Sequence, residues 1–172
     1  MRLAEIKGQD RAVSGLRRDF STGRMVSSYL FVGPEGVGKT TTAIAFAGLL
    51  LCKKGARGYE AEDACGVCDA CRKVRAESHP DLMIVRRDGQ FIKVGEFEKD
   101  RKRGEPPQIR QLIAAAQRKP YEGPVKVLVV DEAHRMNASA ANALLKTLEE
   151  PPPGTVIILT ATMLGALPQT VV

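Results

Sequence analysis

The chain has 172 residues, 44% apolar and 27% charged, with a formal net charge of +6. That length buries a core without obligatory metal or disulfide staples, and the composition excludes an intrinsically disordered chain. No apolar run approaches the roughly 20 residues that cross a bilayer, and the charged start MRLAEIKGQD lacks the apolar stretch of a signal peptide, so a cytoplasmic protein without a membrane partner is expected.

Gly8 to Phe20 reads as a helix, because Val13, Leu16 and Phe20 recur at spacings of three and four. Ser28 to Val32 is a short apolar run ending at Gly33-Pro34, as in a buried strand. Thr40 to Leu51 has no proline and one glycine and reads as a helix. Cys52 to Cys71 is too polar for a regular core element. Leu82 to Val85 reads as a second buried strand. Arg86 to Pro107 contains Gly89, Gly95, Gly104 and Pro106-Pro107. Both parities of its segment Phe91 to Phe97 mix apolar and polar residues, so a charged loop or exposed hairpin is expected over 86–107.

Gln108 to Lys119 is predicted helical, with Ile109, Leu112, Ile113 and Ala116 on one face. Val125 to Val130 is predicted to be a strand that runs into Asp131-Glu132. Asn137 to Glu150 reads as a helix with Ala141, Leu144, Leu145 and Leu148 at core spacing, stopped by Pro151-Pro152-Pro153-Gly154. Thr155 to Thr160 is a last strand. Strands alternating with helices imply an α/β domain with a parallel sheet. The charge is concentrated in residues 72–119, thirteen basic against seven acidic. Such a segment suits phosphate, nucleic acid or an acidic partner, or is a solvated loop. Aromatic residues are 5% of the chain and tryptophan is absent, so no base-stacking platform is expected.

Residues 33–40, Gly33-Pro34-Glu35-Gly36-Val37-Gly38-Lys39-Thr40, satisfy G-x-x-x-x-G-K-[ST] between a predicted strand and a predicted helix. Glycines let backbone N–H groups curl around a phosphate without Cβ clashes. Lys39 reaches the β- and γ-phosphates, the Thr40 hydroxyl suits Mg²⁺, and the helix beginning near Lys39 and Thr41 points its partly positive end at the anion. Four apolar residues, Val127 to Val130, then lead into Asp131-Glu132. In a P-loop protein Asp131 would hold Mg²⁺ and Glu132 would polarise the attacking water. Thr160 and Thr162, at the end of the last strand, either face the γ-phosphate or fill strand positions.

Cys52, Cys65, Cys68 and Cys71 are spaced C-x₁₂-C-x₂-C-x₂-C. Two successive C-x₂-C steps bring thiolates to one centre, as in a closed structural Zn²⁺ site. An iron–sulfur cluster is the competing reading, without the Cys-Pro of ferredoxins. Disulfides are not expected in a chain without an export signal. His79 is not needed as a ligand and is expected on the surface or in a loop.

The octet, the four-cysteine insertion, Asp131-Glu132-Ala133-His134 and above all the run from Asn142 to Pro152 (NALLKTLEEPP) resemble the AAA+ clamp-loader ATPases of bacterial DNA polymerase III. His79-Pro80-Asp81 and Arg135-Met136-Asn137 with Ala140-Ala141 are most similar to the delta-prime type of subunit. The resemblance implies a P-loop AAA+ domain over residues 1–172, with a zinc insertion at 52–76 and the charged loop at 86–107. It implies ATP or ADP with Mg²⁺ as cofactors, Gly8 and Gln9 near the adenine, and Thr162 as the residue that senses the γ-phosphate. Its implied partners are gamma/tau and delta subunits in a pentameric ring, the sliding clamp, and primer–template DNA bound through the assembled ring.

The family continues beyond the position of Val172 with an arginine finger, a lid and a collar. A fragment is therefore expected, nearly inactive alone. Many delta-prime subunits carry a degraded octet, whereas this one is intact. The alternatives are a gamma/tau-type motor ATPase, a structural subunit with a vestigial P-loop, and a helicase reading of Asp-Glu-Ala-His that 172 residues do not suit.

Overall fold

A computed structural model describes residues 1–54, 62–95 and 108–167. Strands β1 (Ser28–Val32), β2 (Leu82–Val85), β3 (Lys126–Val130) and β4 (Thr155–Ala161) form an all-parallel sheet in the order β1-β4-β3-β2. Among the described residues the α-helices are α1 (Asp10–Ser21), α2 (Lys39–Leu51), α3 (Asp69–Arg75), α4 (Ile109–Ala116) and α5 (Ala138–Glu149). Parallel strands require crossovers, and helices covering both faces let the central strands be apolar throughout. Every residue of β3 and β4 is buried. Alternation splits their side chains between two cores: Val127, Val129, Val156 and Ile158 pack with α1 and α2, and Leu128, Val130, Ile157 and Leu159 with α4 and α5. No helix among the described residues is long and apolar enough to cross a membrane.

Several expectations are corrected. β1 is not a buried strand: its ends are exposed and its middle half-buried, since only β4 flanks it among the described residues. The first helix starts at Asp10, after Gly8 adopts a left-handed backbone (φ 72°). α4 ends at Ala116, three residues before Lys119. In α5, Leu145 and Leu148 are half-buried while Thr147 is buried. Asn137 caps that helix, its side chain accepting from the Ala140 amide at 2.8 Å, a contact worth about 1 kcal/mol.

The cysteine stretch contains a regular element that its polarity hid, the short helix α3 carrying Cys71. Residues 86–91 are an exposed turn, as expected, with Asp88 bridged to Phe91, but the segment docks at Ile92. Ile92 is fully buried, its amide donating to the Arg135 carbonyl at 2.9 Å and its carbonyl accepting from Asn137 at 3.2 Å. Residues 96–107 of the charged loop, residues 55–61 of the cysteine insertion and residues 168–172 lie outside the described residues.

His79 lies in a loop, as expected, but it is not on the surface; it is 2% exposed. Its Nδ1 accepts from the Asp81 amide at 3.1 Å, so the neutral ring carries its proton on Nε2, 3.3 Å from Glu122 Oε1. Burial holds its pKa below the usual value despite the acidic neighbours Glu122 and Asp81.

Asp81 is fully buried and accepts from the amides of Tyr121 (2.5 Å), Glu122 (2.8 Å) and Gly123 (2.7 Å), with Lys126 Nζ at 3.7 Å. Burial would raise its pKa, but the three amides and Lys126 outweigh that and lower it. Asp81→Ala is expected to cost about 3 kcal/mol, since three amides and a buried ammonium lose their partner. A lowered folded pKa stabilises above the unfolded value of about 3.9, and the contribution is lost as pH falls through the folded value. Urea denaturation of wild type and variant should therefore differ widely at pH 7 and converge in acid.

Candidate functional site

β1 delivers the chain to the octet, where the Gly33 amide donates to the Ala161 carbonyl at 3.2 Å. Gly36 (φ 78°) and Gly38 (φ 90°) hold backbone conformations that L side chains rarely adopt, and a Cβ on either would stand in open space. The turn therefore leaves open space at both glycines. Gly38 caps α2, whose first turn carries Lys39 and Thr40. Lys39 Nζ lies over the loop, donating to the carbonyls of Gly33 (2.8 Å) and Pro34 (2.7 Å).

β3 ends beside this turn. Asp131 Oδ1 accepts from Thr40 Oγ1 at 2.6 Å, across 91 residues of sequence, and from Thr160 Oγ1 at 2.8 Å. Thr160 also accepts from the Glu132 amide at 2.9 Å. A cleft of about 210 Å³ is lined by Glu35, Gly36, Lys39, Thr40, Asp131, Glu132 and Thr162, with Thr160 and His134 in its wall. A hydroxyl and a carboxylate at hydrogen-bond distance, in a cleft that a glycine turn and a lysine also line, are the hard oxygen donors Mg²⁺ takes next to a polyphosphate. The donor set fits both groups.

A second cavity, about 350 Å³, lies between α1 and β1 and touches Gln9, Val37 and Lys39. Gln9 Nε2 donates to the Val37 carbonyl at 3.3 Å, which ties the start of α1 to the octet. Gly8 and Thr41 line neither space.

Two arginines that sequence reasoning did not single out reach the carboxylates. Arg87 Nε donates to Glu132 Oε2 at 2.7 Å. Arg86 forms a bidentate pair with Glu77 (2.6 and 2.8 Å), and its Nε lies 3.8 Å from Asp131 Oδ2. The hydrogen bond from Arg86 holds the Glu77 carboxyl below its usual pKa, and Glu77 raises that of Arg86. Thr160, rather than Thr162, is the threonine bonded to Asp131. Thr162 lies one residue past β4 and lines the cleft.

The four cysteine sulfurs all lie within 4.8 Å of one another, with Cys65 Sγ to Cys71 Sγ at 3.9 Å. A tetrahedron of Zn–S bonds near 2.3 Å has edges of about 3.8 Å, so the cluster fits zinc. Cys52 ends α2 and Cys68 caps α3. Amides of Cys65 and Cys68 donate to the sulfurs of Cys52 and Cys65 at 3.4 Å. Backbone N–H groups, Val67 first, draw the Cys65 thiol down to about 6, whereas burial pushes the Cys71 thiol up. The neighbouring Asp63 accepts from the amides of Leu3 (3.0 Å) and Ala4 (2.7 Å) and from Arg17 Nη2 (2.7 Å), which fastens the insertion to the N-terminal segment and α1.

A parallel sheet between helical layers, with a glycine turn and an acidic strand end meeting at its C-terminal edge, is the P-loop NTPase fold of AAA+ type. A solved relative shows the same fold: the DNA polymerase III gamma subunit-related protein of Thermotoga maritima, 18% identical, aligns with a TM-score of 0.57 over 92% of this chain and 42% of that one. Residues 8–172 match the protein family described as DNA polymerase III, delta subunit, and the chain belongs to this bacterial clamp-loader AAA+ family. Subunit tau of Escherichia coli is 34% identical over 169 residues, 98% of this chain. Subunit delta′ of Pseudomonas aeruginosa is 38% identical over 132 residues, 77% of this chain. The chain spans 24% of that tau and 36% of that delta′.

Proposed function

We propose that this chain is the nucleotide-binding AAA+ domain of a clamp-loader subunit of the delta-prime type, with residues 1–172 as one domain, the cysteine insertion at 52–76 and the charged loop at 86–107. The observation that carries the reading is the contact of Thr40 Oγ1 with Asp131 Oδ1, since the two magnesium-type donors come from opposite halves of the sequence. The backbone of Gly33, Pro34, Glu35, Gly36, Val37 and Gly38 wraps the phosphates of ATP or ADP. Lys39 and the amides of Thr40 and Thr41 meet them at the start of α2, and Gly8 and Gln9 lie toward the base. Thr40 and Asp131 would hold Mg²⁺, which would neutralise phosphate charge there. Cys52, Cys65, Cys68 and Cys71 would hold a structural Zn²⁺.

Glu132 is the base for an attacking water and Thr162 faces the terminal phosphate. With Glu132 ion-paired to Arg87, turnover by the chain alone should be slow, because a base held by a cation accepts a proton poorly. In the cell the protein would act in the cytoplasm with gamma/tau and delta subunits, in a ring that places the sliding clamp on primed DNA. The similarity to tau over 98% of the chain favours a second reading, a gamma/tau-type motor. Vigorous ATP turnover in the assembled ring would mark that reading.

Titrating ADP into wild type and Asp131→Asn, with Mg²⁺ and with EDTA, tests the site. Wild type should bind more tightly with Mg²⁺, and the variant should lose that gain while keeping its affinity in EDTA. An unchanged Mg²⁺ gain in Asp131→Asn would remove Asp131 from the site.

A further inference from the structure

Among the described residues, only two that are not glycine adopt a left-handed backbone: Glu77 (φ 53°) and Glu132 (φ 55°). Both hold an arginine, and the two arginines are consecutive, Arg86 with Glu77 and Arg87 with Glu132. Arg86 and Arg87 follow directly on β2. Neighbouring side chains on an extended chain point to opposite sides, so the pair reaches two different elements.

Glu77 follows the end of α3. Its amide donates to the Val74 carbonyl at 3.0 Å and the Ser78 amide to the Lys73 carbonyl at 2.9 Å, the helix-ending motif in which glycine is the common residue at this position. A glutamate there forgoes glycine's conformational ease. Strain of this kind, when observed, points to a use for the side chain. The side chain here makes the bidentate pair at 2.6 and 2.8 Å that occupies both terminal nitrogens of Arg86. Only Nε is left toward Asp131, at 3.8 Å from Oδ2, while Oδ1 is engaged by Thr40 and Thr160.

We propose that Glu77 is a positioning residue that holds Arg86 beside the magnesium carboxylate Asp131, and that this tethered cation sets the metal affinity of the nucleotide site. The proposal rests on the nucleotide and Mg²⁺ reading given above. The Arg86 charge repels a divalent ion at Asp131 and competes for Oδ2, and Glu77 keeps the guanidinium from closing fully onto that oxygen. For a unit charge about 5 Å from a divalent ion, the Coulomb term in water alone is somewhat above tenfold in affinity, and physiological salt reduces it to about threefold to tenfold.

The two partners therefore act with opposite signs. Arg86→Gln should lower the Mg²⁺ concentration that half-saturates the ADP complex by about threefold to tenfold. Glu77→Gln should raise it by about threefold, as the freed guanidinium turns onto Asp131. The double variant should match Arg86→Gln alone. Glu77→Gly, which suits the left-handed backbone, should melt no lower than wild type and still shift the Mg²⁺ dependence as Glu77→Gln does. A merely structural ion pair would move both single variants in the same direction, through stability. The readout is Mg²⁺ titration of ADP affinity by calorimetry, with ADP affinity in EDTA and thermal midpoints measured alongside. Single variants that shift the Mg²⁺ midpoint in the same direction, or not at all, while wild type binds ADP and Lys39→Ala does not, overturn this proposal alone. Wild type that fails to bind ADP, or Lys39→Ala that binds it equally, overturns the nucleotide reading and this proposal with it.

Discussion

Lys39→Ala is expected to weaken ADP binding by about a hundredfold, the loss of two charge-assisted hydrogen bonds to phosphate oxygens. The ammonium is already held over the cradle by the carbonyls of Gly33 and Pro34, at 2.8 and 2.7 Å. It is thus pre-positioned, and little side-chain freedom remains to be lost when an anion arrives. The fold should survive, because Lys39 is the first residue of α2 and alanine is a good helix former. Calorimetry with ADP, paired with thermal melts, separates the two effects. Equal affinity in wild type and variant would end the phosphate-cradle assignment.

Removing metal from the cysteine cluster is expected to have the largest effect on stability. Cys52 closes α2, Cys68 opens α3, and Cys71 lies within α3, so one ion at the proposed site would staple the end of the most buried helix to the start of another. Metal binding is folding free energy wherever the site does not exist in the unfolded chain. Cys71→Ser, or treatment with a strong chelator, should abolish stoichiometric zinc and lower the melting temperature on the order of 10 °C. Affinity should also fall with acidification, since protons compete for the thiolates. Because Asp63 joins this insertion to the amides of Leu3 and Ala4, those two amides should exchange faster once the metal is gone. A chain that holds no zinc, or that melts alike with and without chelator, would make the cluster something other than a structural metal site.

The parts of this molecule that sequence made legible are those in which chemistry is written locally. The octet between strand and helix, the apolar run into Asp131-Glu132, and the cysteine spacing each declare themselves within a few residues. The alternation of strands and helices was enough to indicate a parallel sheet. What stayed hidden depends on distant partners. Arg86 and Arg87 are ordinary members of a charged stretch until the fold brings Glu77 and Glu132 to them. His79 carries no periodicity, so nothing marked it as buried beneath Glu122. An apolar pentapeptide cannot say whether it lies in the middle of a sheet or at its edge, which is why β1 was misplaced. The seven-residue α3 was obscured by polar neighbours and by cysteine spacing that draws attention to the metal instead.

The clamp around Asp81 has a geometric consequence. The carboxylate fixes the backbone of Tyr121 to Gly123, the Asp81 carbonyl receives the Val127 amide at 2.8 Å, and the Gly154 carbonyl receives Lys126 at 2.7 Å. Together these contacts act as the zero mark of a ruler whose eighth division past Gly123 is Asp131. Side chains alternate along a strand, so one residue inserted at 124 or 125 that slid β3 by a single rung would turn Asp131 away from Thr40. The molecule's most distant-looking anchor thereby decides which way the proposed magnesium ligand faces.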